Sequence, residues 1–267
     1  MRGDAVVKLF GCDALPWRDA YAAELAGLEL AGTEPGLRAP ALLATGTLVD
    51  SHSDSDGADA VTWPYLVMAR VGGRPVWAVD LERRQQESLA AQLGELVRRL
   101  HALSARPGIP TDHRWRHLDV AAAAAQSSLP AHLVGQVDAF IAAHPLEGSV
   151  VVHGDVIENH VHVDADGLIV GLIDWGDVAV TDPHYELAQI HRDLFDCDVA
   201  LLRGLLDAAS WQVEHDFAQR ALAGALWRQA VGWDQHHSMD VFAPVAARLP
   251  VADIGTLDEL AVALFGR

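Results

Sequence analysis

Two short apolar runs, each closed by an aspartate, constrain this chain more than any other feature. Val150-Val151-Val152 ends in His153-Gly154-Asp155, and Leu168–Ile173 ends in Asp174-Trp175-Gly176-Asp177. β-Branched residues crowd a helix and pack well on a pleated surface, so both runs predict buried strands. Asp164–Gly167 lies between them with the composition of a hairpin turn. Asp155 and Asp174 stand nineteen positions apart at the exits of the two strands, which can bring two carboxylates to one side of one cleft. A single aspartate at a strand exit is usually a turn residue. Two of them, one after His-Gly and one before Trp-Gly, point to chemistry.

Phosphoryl transfer uses such a pair. One carboxylate receives or orients the proton of the attacking hydroxyl, and the other holds a divalent cation against nucleotide phosphates. His153-Gly154-Asp155, then Ile173-Asp174-Trp175-Gly176-Asp177, then Asp182-Pro183 with Glu186-Leu187-Ala188 resembles the aminoglycoside phosphotransferase/choline kinase-like family. The resemblance implies an α+β, protein-kinase-like fold of two lobes. Residues 1–73 would be a small sheet lobe with one helix that binds nucleotide, hinged near 68–73. Residues 74–267 would be a mainly helical lobe carrying the catalytic loop 153–160, the metal loop 173–177 and the acceptor site.

The resemblance also implies roles. Asp155 is the catalytic base and Asp174 a metal ligand. The family's second metal ligand is an Asn five residues after the base. This chain has His160 there, and its nearest Asn is Asn159. Mg²⁺ prefers oxygen and Mn²⁺ accepts imidazole more readily, so both residues remain candidates, with His160 in the matching position. His162 falls on the same strand face and reads as a half-buried histidine. Glu186 replaces the usual Asp and would brace the catalytic loop. Lys8, inside the apolar run Ala5–Phe10, needs a partner if buried. The helix expected over Asp19–Ala31, with a stripe at Trp17, Tyr21, Leu25 and Leu28, offers Glu24 or Glu29, with Glu24 preferred. In the family this lysine holds ATP or GTP phosphates. The backbone of about Met68–Val71, including Met68 and Arg70, would meet the base, and Gly72-Gly73 would be the pivot. Seven residues precede Lys8, so the sheet lobe is expected to be shortened relative to a hairpin needing about twenty more.

The rest of the chain is expected to support this cleft. Strands are predicted over Ala41–Val49 and Thr62–Ala69, joined by the polar tip Asp50–Asp59. A long helix over Asp80–Ala102 repeats Leu89, Leu93, Leu96, Val97 and Leu100 at spacings of three and four, with His101 as a C-terminal residue favoured by the helix dipole. Val120–Gln126 and Pro130–Ala143 read as helices, followed by a helix from Pro183, capped by Asp182, to Leu194. Further helices are expected over Val199–Ala208 and Gln212–His237, and Trp211, Trp227 and Trp233 in this region suit a core.

The net charge of −18, from 37 acidic and 19 basic residues, disfavours nucleic acid and favours a cationic acceptor. Apolar runs too short for a membrane span, no signal-peptide layout, and two unpaired-looking cysteines, Cys12 and Cys197, fit a cytoplasmic protein. The sequence-level expectation is a small-molecule kinase acting on an antibiotic hydroxyl, an aminoglycoside first. A macrolide, nucleoside antibiotic, choline or homoserine are other acceptors. A non-catalytic kinase-like binder and a metal hydrolase built on His153, His160 and His162 are the alternatives of different class.

Overall fold

The computed structural model describes residues 4–11, 15–49, 62–112, 115–236 and 239–266. Cys12, the acidic tip 50–59 and His237 lie outside them. The chain opens with β1 (Ala5–Leu9), α1 (Leu15–Ala31), β2 (Leu42–Val49) and β3 (Thr62–Ala69). β3 lies in the middle of one antiparallel sheet, with β1 and β2 on its flanks. Leu66 and Met68 are buried, whereas Val7, Leu9, Leu48 and Val49 are exposed. α1 begins four residues earlier than the expected start at Asp19. It packs against both β3 and the turn after Asp174, which ties the sheet to the site described below.

The chain crosses from this sheet through β4 (Arg74–Pro75). Gly73 takes φ +72°, and a Cβ there would strike the Val163 carbonyl, so this turn requires glycine. The next helix, α2 (Arg83–His101), is closed at its start by a reciprocal Glu82–Gln85 capping box and buries all five stripe residues. Gly94 lets it approach the carbonyl of Leu205 on α7 (Val199–Ala208). The helix expected over Pro130–Ala143 is instead two short ones, interrupted at Gly135–Gln136. The segments here are α3 (Val120–Ala124), α4 (Ala131–Val134) and α5 (Val137–Ala143).

Four short strands carry the two aspartates: β5 (Val150–Val152), β6 (Val161–Val163), β7 (Ile169–Leu172) and β8 (Ala179–Thr181). The sequence reading omitted β8, a strand of only three residues. β6 pairs with β7 and β5 pairs with β8, both antiparallel. This nested pairing sets the loop 153–160 against the loop 173–178, and Ile173 N–H donates to His160 C=O at 3.0 Å.

α6 (His184–Gln189) starts one residue later than predicted and passes into a π-helical turn over Ile190–Leu194. α7, α8 (Phe217–His236), α9 (Ala243–Arg248) and α10 (Leu257–Phe265) complete the larger, helical part. One continuous apolar core runs from Phe10 and Leu28 to Leu264 and Phe265. Among the described residues no helix is long and apolar enough to cross a membrane.

Candidate active site

The loop after β5 can approach the loop after β7 because Gly154 has no side chain. It adopts φ +82°, and a Cβ there would strike the Asp177 carbonyl. His153, fully buried, ties the same loops together. Its Nδ1 faces the Asp155 N–H at 3.2 Å, and its Nε2 faces the Ile173 carbonyl at 3.1 Å. That pattern fixes one neutral tautomer, with Nδ1 accepting and Nε2–H donating. Burial lowers the His153 pKa in the same sense. From below, Glu186 Oε1 accepts from the N–H groups of His153 (2.9 Å) and Gly154 (3.3 Å). His101, expected only as a helix-end residue, stands with Nε2 3.4 Å from Glu186 Oε2, part of the packing behind the loop.

Asp155 has both oxygens engaged. Oδ1 accepts from Gln189 Nε2 at 2.6 Å and from Arg228 Nη2 at 3.0 Å. Oδ2 stands 3.1 Å from His160 Nδ1. Burial favours the protonated acid, but the His160 hydrogen bond and the Arg228 charge outweigh it, and the carboxyl is held well below the usual range. His160 stands between the two aspartates, its Nε2 3.5 Å from Asp174 Oδ2. Burial would lower its pKa; the hydrogen bonds and charge of Asp155 more than reverse this and raise it. Asn159, in the same turn, is exposed. His162 is half-buried on β6, and burial lowers its pKa.

Asp174 itself sits in the left-handed region, φ 64° and ψ 69°, as the residue before a 3₁₀ turn over Trp175–Asp177. Trp175 is completely buried and its Nε1–H donates to Leu172 C=O, which anchors the turn. Lys8 Nζ lies 2.6 Å from Glu24 Oε2 and 2.7 Å from Asp174 Oδ1. Burial pulls the Lys8 pKa down, but the two carboxylates win and raise it. Glu24 is 1% exposed whereas Glu29 is exposed, because only the former lies on the face of α1 turned to the sheet and to Gly176. Met68 pairs across to Val6, and Arg70 N–H donates to Asp4 C=O at 3.0 Å. Antiparallel alternation puts Val6–Met68 in the hydrogen-bonded class. The Met68 backbone is therefore occupied by the ladder, and the Arg70 side chain points to Asp4 at 3.5 Å.

Two residues were missed at the sequence level. Arg228 on α8 is 2% exposed, and burial is outweighed by Tyr185, Asp177 and Asp155, which raise its pKa. Its other neighbour, Tyr185, is pushed up to about 12, chiefly by burial. Gln189 comes from the last turn of α6. A charged residue inside the run Ala221–Trp233 was the available signal for Arg228, since a buried cation needs anionic partners.

Asp182 was expected as a simple cap. It does accept from His184 N–H, but it is wholly buried and also accepts from Glu147 N–H, Gly148 N–H and Arg220 Nη2, the last at 2.7 Å. Burial alone would raise its pKa, yet the His184 contacts and backbone donors depress it strongly. A depressed carboxylate adds stability that is complete above its unfolded pKa of about 4 and is lost as pH falls below that value. Denaturant unfolding of wild type and Asp182→Asn should therefore differ most at pH 6–7. The gap should narrow steadily below about pH 4.

A divalent cation fits this donor set through Asp174. Mg²⁺ commonly takes one or two protein carboxylates and completes its shell with phosphates and water. His160 places an imidazole, a weaker partner for Mg²⁺, on the other side. Among the described residues no group of three or more His, Cys, Asp or Glu side chains is arranged to hold a metal alone.

The chain is similar in fold to several solved structures. A GDP and kanamycin complex of APH(2")-IIia is similar at 18% identity, over 92% of this chain and 86% of that one, with a TM-score of 0.64. APH(3'')-Id from Streptomyces rimosus, solved with ADP and streptomycin, is 19% identical over 85% and 87%, with a TM-score of 0.56. The macrolide 2'-phosphotransferase MphH from Brachybacterium faecium is 20% identical over 98% and 84%, with a TM-score of 0.55. These likenesses share the protein-kinase-like fold. The sequence itself matches the phosphotransferase enzyme family from residue 2 to residue 224, and on that match the chain belongs to this family.

Proposed function

We propose that this phosphotransferase moves the γ-phosphate of ATP or GTP to a hydroxyl of a small amine-bearing antibiotic, an aminoglycoside first. The observation that carries the reading is the convergence of Asp155, His160 and Asp174, with Lys8 held to Glu24 beside them. Residues up to about 73 contribute the nucleotide side and residues from 74 onward the acceptor side. Lys8, oriented by Glu24, receives the phosphate oxygens. Asp174, with His160 next to it, is the anchoring carboxylate for Mg²⁺ or Mn²⁺, which would neutralise phosphate charge. Asp155 Oδ2 orients the acceptor hydroxyl and takes its proton. Its low pKa keeps it ionised at neutral pH, which suits a loose transition state in which the proton moves late. The hinge contribution to the base shifts past Met68, whose backbone is occupied, to the residues following the Arg70 N–H.

The nucleotides and aminoglycosides named with the similar structures support both substrates. Glu158 sits in the catalytic loop near Asp193 and Asp196, and the net charge of −18 has the sign that attracts a cation. A macrolide is the second reading. Tyr185 also lines a cavity of about 280 Å³ with Trp115, Ile141, Leu146 and Trp227, and that lining suits an apolar acceptor. The hydrolase alternative loses ground because His153 has both ring nitrogens engaged in the loop. A purely binding role leaves the Asp155 environment without a purpose.

The test is a transfer screen read by mass spectrometry. Protein, Mg²⁺ or Mn²⁺, and ATP or GTP would be incubated with kanamycin, streptomycin, a macrolide, choline and homoserine. A gain of one phosphate on one compound identifies reaction and acceptor class together. Absence of transfer to every compound counts against the enzymatic reading.

A further inference from the structure

A base can serve one hydroxyl only if its carboxyl group is kept from turning. An ionised carboxylate has about four acceptor positions, two on each oxygen. On Asp155 Oδ1 both are taken, by Gln189 Nε2 at 2.6 Å and by Arg228 Nη2 at 3.0 Å. Oδ2 has one such neighbour, His160 Nδ1 at 3.1 Å, and keeps one position open. The two donors on Oδ1 therefore decide which oxygen meets an acceptor. Arg228 brings charge as well as direction. Gln189 brings no charge, so what it supplies is direction.

Glutamine is a poor choice here for folding alone. Gln189 is 1% exposed, and its Oε1 is buried with no hydrogen-bond partner among the described residues. A buried acceptor without a donor is destabilising. The amide cannot turn over to relieve this, because Oε1 would then face the acceptor-only carboxylate of Asp155. The backbone beside it is irregular too. The α-helical ladder of α6 ends at Gln189 and gives way to the π turn Ile190–Leu194, a rare form frequent at functional sites. His191 in that turn is buried, and its Nε2 faces the Leu264 carbonyl at 2.7 Å, which pins the turn to α10. Three residues before Gln189, Glu186 holds the backbone N–H groups of His153 and Gly154. One face of α6 thus grips the loop twice, through its main chain and through the Asp155 side chain.

We propose that Gln189 is a positioning residue for phosphoryl transfer: it holds Asp155 Oδ1 so that Oδ2 is the oxygen presented to the acceptor hydroxyl. This rests on the phosphotransferase reading above. In the step it serves, the hydroxyl oxygen bonds to the γ-phosphorus and the bond to the leaving nucleoside diphosphate breaks. The hydroxyl proton passes to Oδ2 while Oδ1 stays hydrogen-bonded.

Gln189→Met and Gln189→Glu keep the length of the side chain and remove the donor. They are assayed with ATP, Mg²⁺ and whichever of kanamycin, streptomycin, a macrolide, choline or homoserine the wild type phosphorylates. Gln189→Met should lower kcat by about tenfold or more, as a misplaced catalytic group does, with both KM values within about twofold of wild type. It also removes the orphaned oxygen, so its denaturant midpoint should equal or exceed the wild-type one. Gln189→Glu, which sets a second carboxyl group against Asp155, should lower kcat at least as far. The deciding measurement is a double-mutant cycle. In an Asp155→Asn background, either change should alter kcat by less than about twofold, because the group it positions no longer acts as a base. An equal fall in both backgrounds overturns the inference, as does a wild-type kcat in Gln189→Met. A Gln189→Met protein that unfolds well below wild type also overturns it, since the residue would then serve the fold. Absence of transfer by the wild type to every acceptor defeats the parent reading, and this inference with it.

Discussion

Asp155→Asn should lower kcat by about 10² or more, the usual size of a general-base contribution, while leaving nucleotide affinity near wild type. The substitution is close to isosteric. The Asn oxygen can still accept from Gln189 and Arg228, which hold Asp155 Oδ1 at 2.6 and 3.0 Å. What disappears is the charge facing His160 and the ability to take a proton. On the proposed reading nucleotide binding runs instead through Lys8, Glu24 and Asp174, which this change does not touch. Single-turnover transfer and direct nucleotide titration separate the two effects. Turnover at the wild-type rate would remove Asp155 from its role.

Arg228→Met should be nearly as damaging, by a different route. The guanidinium is 2% exposed and stands 3.0 Å from Asp155 and 3.9 Å from Asp177. Removing a buried charge that compensates others is expected to cost about 3–5 kcal/mol of stability, read as a lower denaturant midpoint. The surviving folded enzyme has a second signature. Arg228 is one of the causes that keep the Asp155 carboxyl below its ordinary range. Without it the folded pKa rises, so protonation of the base sets in at higher pH. The acid limb of the kcat–pH profile should therefore move upward in Arg228→Met, and activity at pH 5 should fall further than at pH 8. An Arg228 with a purely structural role would lower stability without moving that limb.

The contrast between Asp155 and Arg228 shows what a sequence discloses. Asp155, Asp174 and His153 stand out because strand periodicity and local spacing put them at adjacent strand ends, a relation that spans nineteen residues. For Lys8 the sequence showed only that a lysine in an apolar strand demands a partner; that the partner is a glutamate of the next helix was implied by the family resemblance. The choice between Glu24 and Glu29 needed the rotation of α1 about its axis, which a stripe of three or four apolar residues fixes only to within one face. Arg228 and Gln189 reach Asp155 from 73 and 34 residues away, with no motif joining them. Their placement depends on how α6 and α8 pack on each other. β8 escaped notice because three residues are too few to show a period. Pro130–Ala143 was misjudged because a helical composition says little about an interruption at Gly135, where the chain turns between two short helices.

The backbone at Asp174 carries a further meaning. Left-handed geometry costs a non-glycine residue on the order of 1 kcal/mol, and glycine would relieve it. Asparagine, which tolerates the same region, would give up the ion pair with Lys8 Nζ at 2.7 Å. Backbone conformation and charge thus pull the choice of residue at 174 in opposite directions, and the outcome depends on a residue 166 positions away. With Lys8 replaced by Met, glycine or asparagine at 174 should melt above aspartate; with Lys8 in place that advantage should shrink or reverse.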